Sequence, residues 1–106
     1  MPKYLLQATY TADGVKGLIK DGGSRRAAAA RSLIESLGGK LDALYFAFGE
    51  TDVVAIADLP DNAAAASASL TISGSGAVHG SITALLTPEE IDKAVKQSGT
   101  YTPPGR

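Results

Sequence analysis

Leu41–Phe48 (LDALYFAF), Gly49–Asp52 (GETD) and Val53–Leu59 (VVAIADL) follow one another without a break. The outer two pieces are the most apolar runs in the chain. Aromatic residues crowd the first and β-branched residues the second, as suits pleated, half-buried strands. The four residues between them are short and polar with a glycine in front. The two strands therefore turn back on each other as a β-hairpin.

Working towards the N-terminus, Gly38-Gly39 stops a helix whose apolar face is Ala30, Leu33, Ile34 and Leu37, at i, i+3, i+4 and i+7. Ser24 is the natural N-cap for it. Gly22-Gly23 separates it from a shorter helix carrying Val15, Leu18 and Ile19, where Gly17 costs about 1 kcal/mol of helix propensity. Thr11–Gly14 breaks this helix from a first strand, Lys3–Tyr10.

Towards the C-terminus, Pro60-Asp61-Asn62 opens a third helix, with Ala63, Ala66 and Leu70 expected inward and Gly74-Ser75-Gly76 at its end. Val78–Leu86 is a fourth strand. Thr87-Pro88-Glu89-Glu90 then has every mark of a helix start: Thr87 as N-cap, Pro88 at N1 and Glu90 as the capping-box acid. Ile91, Ala94 and Val95 are the expected buried stripe of that last helix. The order is β-α-β-β-α-β with an appended helix, the first crossover being a broken helix pair. This is the split βαβ, a ferredoxin-like α+β fold with helices on one face of an antiparallel sheet. One domain is expected over residues 1–98, with a proline-bearing tail at 99–106.

Composition bounds the rest. Of 106 residues 44% are hydrophobic, but 18 are alanine and none is tryptophan. The core is therefore made of short side chains, and a cysteine-free chain of this length is a candidate for burying more surface by self-association. The net charge is −1 and the pI about 5.7. With no basic stripe beyond Arg25-Arg26, a nucleic-acid partner is not expected. The lack of cysteine removes disulfides, thiolate catalysis and cysteine metal sites. No segment approaches the ~20 apolar residues of a membrane span, and Met1–Ala8 has no apolar leader core. A cytoplasmic protein of bacterial style is the expectation, with neither nucleic acid nor membrane as partner.

Period-2 alternation divides the strands into two faces. Gln7, Tyr45, His79 and Ser81 fall on one side, and Leu6, Leu44, Phe46, Val78 and Ile82 on the other. The first side is half-polar, with amide, hydroxyl and aromatic groups and few charges. Such a face suits cover by a second sheet around a polar-lined cavity, and so a homodimer or higher homo-oligomer.

The string Phe46–Ile56 (FAFGETDVVAI), with Asp58-Leu59-Pro60-Asp61, resembles the GYD domain family. Tyr4–Tyr10, Gly14–Gly23 and Leu86–Glu90 are similar to it as well, so the resemblance covers roughly residues 3–96. The signature glycine and aspartate correspond to Gly49 and Asp52, while Thr51 stands where the signature has tyrosine. The family has no characterised activity. It is similar to the dimeric α+β barrel proteins, whose two sheets pack face to face around a cavity. These include small monooxygenases, isomerases, haem-dependent enzymes and proteins with no known activity, so the resemblance implies a fold rather than a reaction.

The candidate chemistry centres on His79, the one histidine. As a general base it needs a partner within hydrogen-bond reach, and Tyr45, Tyr10 and Asp52 come from neighbouring strands. His79, Tyr45 and Asp52 are the candidate catalytic set, and Gln7, Tyr10 and Ser81 the candidate ligand-binding set. Each has a plainer reading. His79 can be a surface strand residue, and Asp52 an Asx-type cap that fixes the hairpin. Gly22–Arg26 reads either as an anion site at a helix start or as a helix joint with a solvated basic end. Tyr101–Pro104 either docks across a subunit boundary or stays free. No residue pattern names a cofactor. A small-molecule isomerase or cofactor-free monooxygenase is one functional expectation, and a non-catalytic assembly or regulatory module the other. A trimeric signalling protein of ferredoxin-like fold would need a long loop where Gly49–Asp52 is short.

Overall fold

Tyr4 shows which way the sheet faces. Its side chain is 2% exposed, and its hydroxyl donates to Asn62 Oδ1 at 2.7 Å, so this polar tip is satisfied inside the core. The computed structural model describes all 106 residues. The elements are β1 (Lys3–Tyr10), α1 (Ala12–Asp21), α2 (Gly23–Ser36), β2 (Lys40–Phe46), β3 (Val53–Asp58), α3 (Asn62–Gly74), β4 (Val78–Leu85) and α4 (Pro88–Val95). The four strands form one sheet in the order β2-β3-β1-β4, with every neighbouring pair antiparallel. The fold is α+β of the ferredoxin-like type, as the order of elements implies.

Tyr4 pairs with Ala57 of β3 and Ala84 of β4, and Leu6 with Ala55 and Ile82. These residues therefore share the helix-facing side. Tyr4, Ile34, Leu41, Ala55, Ala57, Leu59 and Ala65 make the core. A register shift between Leu41 and Ala43 lets Leu41 and Leu44, three apart, both face inward opposite Ala57 and Ala55. The hairpin forms, but its strands stop sooner than expected: β2 ends at Phe46, and the connection is closed by the Ala47 N–H donating to Asp52 O at 2.8 Å. Phe48 lies in that connection, fully exposed.

Helix ends follow local chemistry. Thr11 caps α1 by accepting from Gly14 N at 3.1 Å, and Asp61 caps α3 by accepting from Ala64 N at 2.8 Å. Both arms of the Thr87–Glu90 capping box are made. Ser24 is not the N-cap of α2. Gly22, at φ +80, turns the chain in one residue and α2 begins at Gly23, which leaves no linker for Ser24 to cap.

Three expected stripes turn out differently. In α1 only Leu18 is half-buried, while Val15 and Ile19 are exposed. In α3 the buried residues are Ala65 and Ala68, and Ala63, Ala66 and Leu70 face outward. The Ala63–Ser69 part of this helix is all alanine and serine and offers no contrast between faces, so its rotation is set by what fits the sheet. Ile91, Ala94 and Val95 of α4 are uncovered in the chain. The expected α2 face does hold, with Ile34 buried, Ala30 and Leu37 packed against the core, and Leu33 half-buried. No helix is long and apolar enough to cross a membrane.

Candidate functional site

The side of the sheet away from α1, α2 and α3 is laid out by the strand registers. Tyr45, Val54, Gln7 and Ser81 form one cross-sheet row, Gln7 pairing with both Val54 and Ser81. Ala43, Ile56, Leu5 and Thr83 form the next row towards one end, and Thr9 and His79 pair towards the other. The interior of this face carries no charged side chain. Its charges gather at the end where Lys3 lies beside Asp58.

Gln7, Thr9, His79 and Ser81 line a shallow, open depression of about 290 Å³, completed by Thr51 and by the Ala8–Gly80 pair. Two bonds fold the hairpin connection over the end of β1 and so bring Thr51 there. Thr9 Oγ1 donates to Glu50 O at 2.6 Å, and Asp52 N to Ala8 O at 2.9 Å. The lining offers an amide, three hydroxyls and an imidazole. These can donate to or accept from a small polar ligand without fixing its charge.

Three of the six candidate residues thus meet: His79, Gln7 and Ser81. Tyr45 shares their face and is 71% exposed, but three strand spacings of ~4.8 Å put it ~14 Å from Ser81. Within one chain it does not reach His79. Asp52 is committed elsewhere, its carboxylate accepting from the Tyr10 N–H at 2.9 Å. That bond ties the hairpin connection to β1. Tyr10 pairs with Val78 on the helix-facing side and its ring lies against Gly14, so the sheet stands between it and His79. Thr51 was missed because the fold-back of a turn over a neighbouring strand has no sequence periodicity. Gly80 was missed because a lone strand glycine gives no hint of its partner.

At the charged end, Lys3 Nζ donates to Asp42 and, at 2.9 Å, to Asp58 Oδ1, joining β1, β2 and β3. The bond to Asp42, then that to Asp58, raises the Lys3 ammonium above its ordinary 10.5. The same Lys3 bond holds the Asp42 carboxyl below its ordinary 3.8. Arg26 pairs with Asp21 at 3.6 Å across the α1–α2 joint, which fits the plainer reading of Gly22–Arg26. Nowhere do three His, Cys, Asp or Glu side chains gather as a metal site would need.

No curated protein and no solved structure matches the chain. The GYD domain model does match, over residues 4–95, from the second residue of β1 to the last of α4. The chain therefore belongs to the GYD domain family.

Proposed function

We propose that two copies of this chain pack open sheet face to open sheet face and enclose the Gln7–Ser81–His79 depression as a polar-lined cavity for a small organic molecule. The observation that carries this reading is the makeup of the face. Leu5, Ala43, Val54 and Ile56 run through its centre, Gln7, Ser81, Thr83 and His79 lie beside them, and charge appears only at one end. A face built to meet water would alternate with charged residues along its whole length. A second sheet laid on this one would shut the depression from solvent and strengthen every polar contact inside it.

In such a cavity His79 is the proton-transfer group. A neutral imidazole takes a proton from a carbon next to a substrate carbonyl, while the Gln7 amide and the Ser81 hydroxyl donate to the oxygen that gains charge. Returning the proton to another carbon completes an isomerisation. Passing the carbanion's electrons to dioxygen begins a cofactor-free oxygenation. Tyr45, too far from His79 within one chain, would have to come to the site from the partner. The chain is read as cytoplasmic.

The test is native mass spectrometry of the purified protein and of His79→Ala. The expected result is an oligomer that retains a small molecule, and a variant that keeps the oligomer but loses the molecule. Retention unchanged in His79→Ala would sink the site. An oligomer that never holds a ligand would favour the second reading, a non-catalytic assembly module. One observation supports that alternative: Asp52, the carboxylate expected to partner His79, is bonded to the Tyr10 N–H instead.

A further inference from the structure

Helix α4 has no partner in its own chain. Ile91 is 46% and Val95 74% exposed, and Leu86, just before the helix, is 61% exposed. Eight residues are well short of the ~12–15 at which an isolated helix becomes even marginal in water. The capping box fixes where α4 starts but supplies no packing. A short amphipathic helix of this kind is stable only when its apolar stripe is covered.

A matching surface lies on the helix side of the sheet. Between α3 and the edge strand β4 runs a trench of about 390 Å³. Ala65, Ala66 and Ser69 wall it on one side, Ile82 and Ala84 on the other, with Tyr4 between. The neighbouring helix, NAAAASASLTISG, has no charged residue, although Ala63, Ala66 and Leu70 face outward. A solvated helix face normally carries charge. Walls of alanine and serine leave room for larger side chains to enter as knobs.

We infer that α4 of one chain seats its Ile91–Val95 stripe in the α3–β4 trench of a second copy. The occupant is a second copy for three reasons. First, α4 does not seat in its own trench: none of its residues lines the trench or is buried, and Thr87 before Pro88 is extended, at φ −75 and ψ 158. Second, each chain holds one uncovered stripe and one uncharged trench, so a reciprocal exchange between two copies satisfies both and closes. Third, the area is there. The chain exposes 7353 Å², where a compact monomer of its mass exposes ~5,500 Å². The excess of ~1,800 Å² is about twice the ~800 Å² that each partner gives to a standard interface. The clasp uses the helix side of the fold and stands apart from the pairing of open sheet faces.

The absence of cysteine makes the test clean. Chains carrying Ile91→Cys and chains of different mass carrying Ala66→Cys are co-expressed and oxidised, and covalent pairs are weighed. Both positions are exposed, so both variants keep the fold. The expected result is a mixed pair at least tenfold more abundant than either self-pair. Self-pairs as abundant as the mixed pair would overturn the inference. So would a double variant, Ile91→Cys with Ala66→Cys, that closes its bridge within a single chain. Neither result bears on ligand retention at His79, which reads the opposite face.

Discussion

At Gly14 the first helix touches the approach to the last strand. The Thr11 N–H donates to Ala77 O at 2.9 Å. A Cβ on Gly14 would collide with that same carbonyl oxygen and stand 2.9 Å from the Tyr10 ring. Gly17, one turn on in α1, has nothing within 4 Å of where its Cβ would be. Gly14→Ala should therefore lower the unfolding free energy by about 1–3 kcal/mol through overpacking. Gly17→Ala should raise it by about 0.5–1 kcal/mol by removing chain entropy from a helix interior. Urea midpoints of the two variants check this, and midpoints that move the same way would contradict it. The sequence shows both glycines and marks neither as special. Read from spacing alone, Gly14 belongs to a break before the helix, because nothing local announces the carbonyl of residue 77. Asp52 teaches the same lesson. The sequence favours a turn cap over an acid, and the bond Asp52 makes, to the Tyr10 N–H of another strand, comes only with the tertiary register. Gln7, His79 and Ser81 were legible as neighbours because strand alternation has period 2, and the fold preserves it.

Elements whose signals are local came through nearly intact. The Thr87–Glu90 start of α4 and the Leu41–Leu59 hairpin are set by residues a few positions apart. The face of α3 was not legible, because Ala63–Ala66 and Ala68 look alike from every direction. Its rotation is decided by the tight seats of Ala65 and Ala68. The strands themselves are joined at one end by Lys3, Asp58 and Asp42, from β1, β3 and β2. Asp42, held below its ordinary 3.8, contributes stability that is complete above its unfolded value and is lost as pH falls through its folded one. Lys3, raised above 10.5, contributes stability that is complete below that value and is lost as pH rises through its folded one. Lys3→Met should therefore lower the urea midpoint modestly across the neutral range, since the groups stand near water. Its gap from the parent should close in strong acid and in strong base. A gap of constant size from pH 2 to pH 12 would contradict the role given to this cluster.

For the molecule as a whole, a thin core has become a statement about surfaces. Only ten residues of 106 are buried, and the radius of gyration is 16.9 Å where a compact chain of this length has ~13 Å. Composition suggested that this chain needs help, since alanine supplies so much of its apolar count. It did not show where, because a face is a property of register and not of composition. The structure leaves two surfaces short of cover: the uncharged centre of the open sheet face, and the α4 stripe with its matching trench. The first matters most for assembly. Ile56 lies at the centre of that face, half-buried and paired with Leu5 and Ala43. Sedimentation equilibrium of the parent beside Ile56→Glu, with folding followed by circular dichroism, measures it most directly. The expected result is a parent mass that is a multiple of 10.8 kDa and a folded variant of lower mass. A parent that stays at 10.8 kDa at every concentration, or a variant that keeps the parent's mass, would contradict it.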